Sequence, residues 1–197
     1  MMEGSHFDPI PTEIKLLSLP ELESLRGLAA MASIDVFSVE NCPSLRSMEG
    51  LNKLRETSGI NIEINESLET LANLESLEQV HYALRIGQCT SYHELEDTKL
   101  ASIDALSRLQ KVHYLWISNT RIEDLDALES LTELSRFEFR YNLRLPVENI
   151  HEFLKSVDRF HPNSANDHIC GNLEQDKSCG SCPFGCNKPA LQKDLIR

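Results

Sequence analysis

The residues with the most chemical potential in this sequence are four cysteines near its end, Cys170, Cys179, Cys182 and Cys186. The last three lie in the string Cys-Gly-Ser-Cys-Pro-Phe-Gly-Cys. Thiols spaced this way suit three chemistries. Oxidised, they staple a C-terminal segment through disulfides, as small secreted modules do. As thiolates they could hold one tetrahedral Zn²⁺, with His161 and His168 close enough in sequence to substitute as ligands. Cys179-x-x-Cys182 could also serve redox chemistry. Structural zinc sites usually bring two close cysteine pairs, and Cys170 has no close partner. The spacing does not match iron–sulfur patterns, and a thioredoxin-like motif needs a βαβ context that the sequence lacks. Disulfides and zinc therefore stay open, and redox chemistry is the least supported.

Other catalytic signatures are missing from the sequence. It has no Gly-rich phosphate loop, no Gly-x-Ser-x-Gly elbow and no His-Glu-x-x-His. No catalytic residue is expected, and the chain does not read as an enzyme. Acidic residues such as Glu123, Asp124 and Glu94 to Asp97 are scattered and read as a solvated face. His81, His93 and His113 are equally scattered and read as surface or packing residues. Asn65-Glu-Ser67 is a glycosylation sequon, relevant only in a eukaryotic secretory chain.

The formal charge of −12, with no Lys/Arg cluster, argues against nucleic acid and against an anionic membrane surface. It leaves basic protein surfaces, or plain solubility, as its explanation. No apolar run approaches the roughly 20 residues that span a bilayer, so no membrane insertion is expected. Met1 to Pro11 has no apolar stretch of the signal-peptide kind. A cytoplasmic chain fits, as does a secreted or cell-surface chain whose signal is absent from the sequence; the cysteine tail tips the balance slightly to the second.

The elements that would position these residues are set by a repeat. Leucine-type residues recur every third position in sets of four: Leu22, Leu25, Leu28, Met31; Leu45, Met48, Leu51, Leu54; Leu68, Leu71, Leu74, Leu77; Leu100, Ile103, Leu106, Leu109; Ile122, Leu125, Leu128, Leu131. Successive sets begin 23, 23, 32 and 22 residues apart. Three intervals match the period of about 20–29 residues typical of leucine-rich repeats. The long one carries an insertion near Cys89 to Thr98. Beside the sets run short alternating segments, Val36 to Val39, Ile60 to Ile64, Leu84 to Ile86, Leu115 to Ile117 and Phe137 to Phe139, which read as strands. Polar residues such as Asn41 and Asn119 follow and could satisfy turn backbone groups. A helical array would also tolerate three-residue spacing, but each set is tied to a strand-like run.

A single coil cannot bury its own leucines, so coils must stack, with strands aligned as a parallel sheet on one face. Thr12 to Pro20 is expected to begin the stack. Val147 to Phe160, with Ile150, Phe153, Leu154 and Val157 on one stripe, is expected to close it as a helix. The expected organisation is a solenoid with caps over residues 1–160 and a Cys-rich tail over 161–197. Cys42 and Cys89 fall two coils apart, roughly 9–10 Å at ~4.8 Å per strand and beyond the ~7 Å disulfide reach. Both are expected to be free.

Asn41-Cys-Pro-Ser-Leu45 with Met48-Glu-Gly-Leu51, and Leu115-Trp-Ile-Ser-Asn119 with Ile122 and Leu125, resemble leucine-rich repeats of the short 22-residue type. The phrasing of the first also resembles receptor L-domains, right-handed β-helical ligand-binding modules in which cysteine-rich segments often follow the solenoid. The resemblance covers about residues 13–146. It implies an α/β solenoid used as a binding surface for a protein partner, with no family catalytic residue. The chain departs from the pattern at Ile62-Glu-Ile-Asn-Glu-Ser, which lacks the usual spacing, and at the insertion.

Side-chain alternation then selects the outward residues. Trp116 lies between Leu115 and Ile117, Arg85 between Leu84 and Ile86, and Glu138 between Phe137 and Phe139. Tyr114, Ser118, Arg136, Arg140 and Glu63 join that face. Trp, Tyr and Arg are enriched among interface hot spots, so Trp116, Tyr114, Arg85, Glu138, Arg140 and Glu63 form the expected partner-binding patch, anchored by Trp116 and Arg85.

Overall fold

The computed structural model describes residues 13–88, 98–160, 168–170 and 172. Within them lie β1 (Glu13–Leu17), β2 (Val36–Glu40), β3 (Glu56–Glu63), β4 (Gln79–Gly87), β5 (Lys111–Ser118) and β6 (Glu133–Arg140), then α1 (Val147–Ser156), β7 (Arg159–Phe160) and β8 (His168–Cys170). The fold is α/β. One parallel sheet runs in chain order from β1 to β7, and β8 also pairs with β6. β7 pairs with Glu133 and Leu134, and β8 with Glu138 to Arg140, so the two follow one another along the same edge.

The leucine spacing has a direct structural cause. Leu51 N–H donates to Met48 O at 3.1 Å and Leu54 N–H to Leu51 O at 2.9 Å. The same i→i+3 bonds recur at Leu74 and Leu77, Leu106 and Leu109, and Leu128 and Leu131. A chain that turns every three residues puts every third side chain on one side, and here that side is the core. Phe37 and Val39, Ile60 and Ile62, Leu84 and Ile86, Leu115 and Ile117, and Phe137 and Phe139 close the core from the sheet. Burying each such side chain stabilises by about 1.5–3 kcal/mol relative to leaving it exposed.

At the end of each of β1 to β6 the chain turns a corner through a left-handed residue: Ser18, Asn41, Ile64, Gly87, Asn119 and Tyr141 all have positive φ. This explains the odd spacing of Ile62-Glu-Ile-Asn-Glu-Ser. Ile64 is the corner residue, just beyond β3, and Asn65 behind it is buried. The expected role of Asn41 and Asn119 shifts accordingly. They occupy the corner itself, while the turn backbone is satisfied one position later. Asn65 Oδ1 accepts from Cys42 N–H at 3.0 Å and its Nδ2 donates to Val39 O at 2.9 Å. Asn142 repeats this toward Thr120 and Ile117, and Asn172 toward Asn142 and Phe139.

The far end is closed by α1. Val147, Ile150 and Phe153 are buried, and Phe153 meets the Phe139 ring edge-on at 6.1 Å. Sheet pairing continues past residue 160, since β8 and Asn172 extend the pattern of the strands and corners before them. The insertion at residues 89–97 lies outside the described residues, but Thr98 at its end is buried and its hydroxyl donates to Asn119 O at 2.5 Å.

Candidate functional site

The strands place the expected patch on one face. Arg85, Trp116 and Glu138 are register partners across β4, β5 and β6, and Tyr114 and Arg136 form the neighbouring row. What differs from expectation is accessibility. Trp116 is 4% exposed and Glu138 is 2%, with Tyr114 and Arg140 also buried. These four do not project into solvent as anchors. They pack together: Ala83, Tyr114 and Trp116 make a small apolar cluster separate from the main core. The Arg85 guanidinium lies over the Trp116 ring at 5.5 Å and that of Arg136 over the Tyr114 ring at 5.4 Å, a favourable cation–π geometry. Tyr114 Oη donates to Glu138 Oε2 at 2.5 Å, and Glu138 pairs with Arg140. Burial, reinforced by the Glu138 carboxylate, pushes the Tyr114 phenol well above its ordinary value, so it remains a donor. Alternation reports which face a side chain takes, not what covers that face.

Arg85 and Glu63 stay partly open. Arg85 Nη1 lies 3.6 Å from Glu63 Oε1, and Glu63 sits beside Glu40 on the adjacent strand. Burial raises the Glu63 carboxyl from its ordinary 4.5 to about 7; the Glu40 charge adds to the shift and Arg85 opposes it. The folded chain thus holds a proton there that the unfolded chain releases. The associated stability is fully present below pH 4.5 and is lost as pH rises through about 7. Moving from pH 5 to pH 8 should cost the native protein up to about 3 kcal/mol more than the Glu63→Gln variant. Urea unfolding of both proteins at the two pH values checks this; parallel pH profiles would contradict it.

An accessible site that alternation alone did not single out lies further back along the same strands. Val80 pairs with Val112 and Ala83 with Tyr114, so His81 and Tyr82 together face the single residue His113. This bulge carries one extra residue and re-aims its side chains. Tyr82 is 69% exposed and stacks on His113, with ring centres 6.1 Å apart and planes 20° apart. Beside them a shallow groove of about 370 Å³ is lined by Val80, His81, Lys111, His113, Glu133, Ser135 and Arg159, among others. Its charges are cross-linked. Glu133 takes Arg159 at 2.7 Å and Lys111 at 3.4 Å, and His81 Nε2 lies 2.5 Å from Glu56 Oε1. A sequence signal for the bulge does exist. Val80 and Leu84 are four positions apart, whereas Thr57 and Ile60, Val112 and Leu115, and Leu134 and Phe137 are three apart.

Of the tail cysteines, only Cys170 lies within the described residues. It is disulfide-bonded, and a cystine sulfur is not a thiolate ligand. Cys179, Cys182 and Cys186, like Cys89 and His161, lie outside the described residues. Cys42 is free and buried, and burial pushes its thiol up, which makes it unreactive. Among the described residues, no group of three or more His, Cys, Asp or Glu is placed to hold a metal, and no helix is long and apolar enough to cross a membrane. No protein-family profile, curated protein or solved structure matches this chain.

Proposed function

We propose that this chain is a leucine-rich-repeat-type solenoid acting as a non-catalytic protein-interaction module. The regular i→i+3 turns, the asparagine ladder and the strand order support the solenoid reading over a receptor L-domain-like β-helix with less regular coils. The contact surface is the Tyr82–His113 stack with the groove beside it, flanked by the half-open Arg85 and Glu63. The observation that carries this is the exposure of a stacked tyrosine on the sheet, held out by a bulge. Aromatic side chains with little conformational freedom are the groups that dominate interface energies. Trp116, Tyr114, Glu138 and Arg140 support the surface from beneath rather than touching a partner. The disulfide at Cys170 supports a stapled C-terminal segment, and with it an oxidising compartment, over a zinc site.

The test is site-specific photocrosslinking. A crosslinker at position 82 should capture one partner stoichiometrically, and one at the exposed Lys53 on the return path should not. With that partner in hand, Tyr82→Ala should weaken binding by at least about tenfold, as for a hot-spot residue. Equal affinity for Tyr82→Ala and the native protein would overturn the assignment.

A further inference from the structure

The two ends of the stack differ. At the C-terminal end α1 covers the last coil, and Phe139, Leu145 and Ile150 are fully buried. At the other end the first coil is only partly covered. Ile14, Leu16, Leu22, Leu28 and Met31 are partly buried, whereas their counterparts one coil later, Phe37, Val39, Leu45, Leu51 and Leu54, are at 0% exposure. Leu17 and Leu19 beside them are exposed at 48% and 40%.

Among the described residues, the backbone at this end is paired on one side only. β1 bonds only β2 among the described strands. Ser18 N–H reaches Glu40 O, and hydrogen-bonding direction alternates along a strand. The N–H and C=O of Glu13, Lys15 and Leu17 therefore point away from β2, along an edge that no described strand occupies. Such an edge invites another strand.

We propose that this end pairs with a second copy of the chain, through antiparallel contact of β1 with the partner's β1 about a two-fold axis near Ile14. Charge complementarity selects the occupant and the register. With Ile14 opposite its own copy, Glu13 faces the partner's Lys15 and Lys15 faces the partner's Glu13. Both residues belong to the set whose backbone groups point outward, so each facing pair can exchange two backbone hydrogen bonds. A register shifted by one residue in each chain would set Lys15 against Lys15 and is disfavoured. Glu13 and Lys15 already lie 2.7 Å apart on one strand face, about half exposed, so the alternating charges are in place before pairing. The contact is isologous, as two-fold symmetry requires, and it buries the open apolar end twice. This pairing goes beyond the interaction site proposed above and leaves the Tyr82 groove uninvolved.

Sedimentation equilibrium of the full chain tests it. The native protein should show a concentration-dependent monomer–dimer equilibrium. Glu13→Lys, at an exposed position that does not threaten folding, should weaken the dimer by about tenfold by placing like charges opposite each other twice. Adding Lys15→Glu to it should restore association. A native protein that stays monomeric at high concentration, as it would if its own first twelve residues covered the end, overturns the proposal. So does a dimer unaffected by Glu13→Lys.

Discussion

Asn142→Ala is expected to be the most destabilising single polar substitution in the fold, costing about 3–5 kcal/mol. Asn142 is at 0% exposure and ties the ends of β5, β6 and β8 together. Its Oδ1 accepts from Thr120 N–H at 3.1 Å and Thr120 Oγ1 at 2.8 Å, while its Nδ2 donates to Ile117 O at 3.0 Å. It also donates to Asn172 Oδ1, from its backbone at 3.1 Å and its side chain at 3.2 Å. Removing the amide leaves a backbone donor and a backbone acceptor buried without partners, and each costs about 1–3 kcal/mol. Asn61→Ala, which loses only a bond to Ser38 Oγ at 3.0 Å, should cost about 1 kcal/mol. Urea midpoints for the two variants check the contrast. If they shift equally, the ladder is not a source of stability.

The second large effect is steric. Gly87 ends β4 at φ 103°, and a Cβ built there would sit 1.8 Å from Ser118 O. Ser118 O accepts from Gln88 N–H at 2.9 Å, so it cannot retreat without breaking the bond that joins β4 to the corner after β5. Gly87→Ala should cost about 3 kcal/mol or more, combining backbone strain with loss of that bond. Gly27→Ala provides the comparison, because nothing lies within 4 Å of the added methyl. Thermal unfolding should show a large drop for the first and almost none for the second. The two glycines are indistinguishable as letters; what separates them is the distance between neighbouring coils at one corner.

That contrast marks how far the sequence could be read. The every-third leucines, the inward pairs such as Ile60 and Ile62, and the stripe of α1 were all legible, because each reflects a local period imposed by burial. The N-terminal halves of β3 to β6 were not. Each contributes only one inward residue there, Thr57, Val80, Val112 or Leu134, separated from the main strand by an irregular step that breaks the alternation. The asparagine ladder was displaced by one position, because a left-handed corner precedes it and nothing in Asn41 or Asn119 marks them as corner rather than ladder residues. Arg85, Trp116 and Glu138 do fall in one row of the sheet, but the accessibility of that row depends on contacts far apart in the chain. Trp116 and Tyr82 are both aromatic and both on the sheet. One is enclosed and the other stands open only because β4 carries one residue more than its neighbours.

The strict chain order of the sheet has a consequence for how this protein tolerates change in length. Among the described strands, each bonds only those just before and just after it in the chain, apart from the split edge on β6. The path from Gln79 to its partner Lys111 covers 32 positions, and the path from Lys111 to Glu133 covers 22, yet both pairings are in register. Extra residues are therefore spooled out between two pairings without altering either. The length of chain between two pairings is thus free to vary, and only the register at which each strand meets the last is fixed.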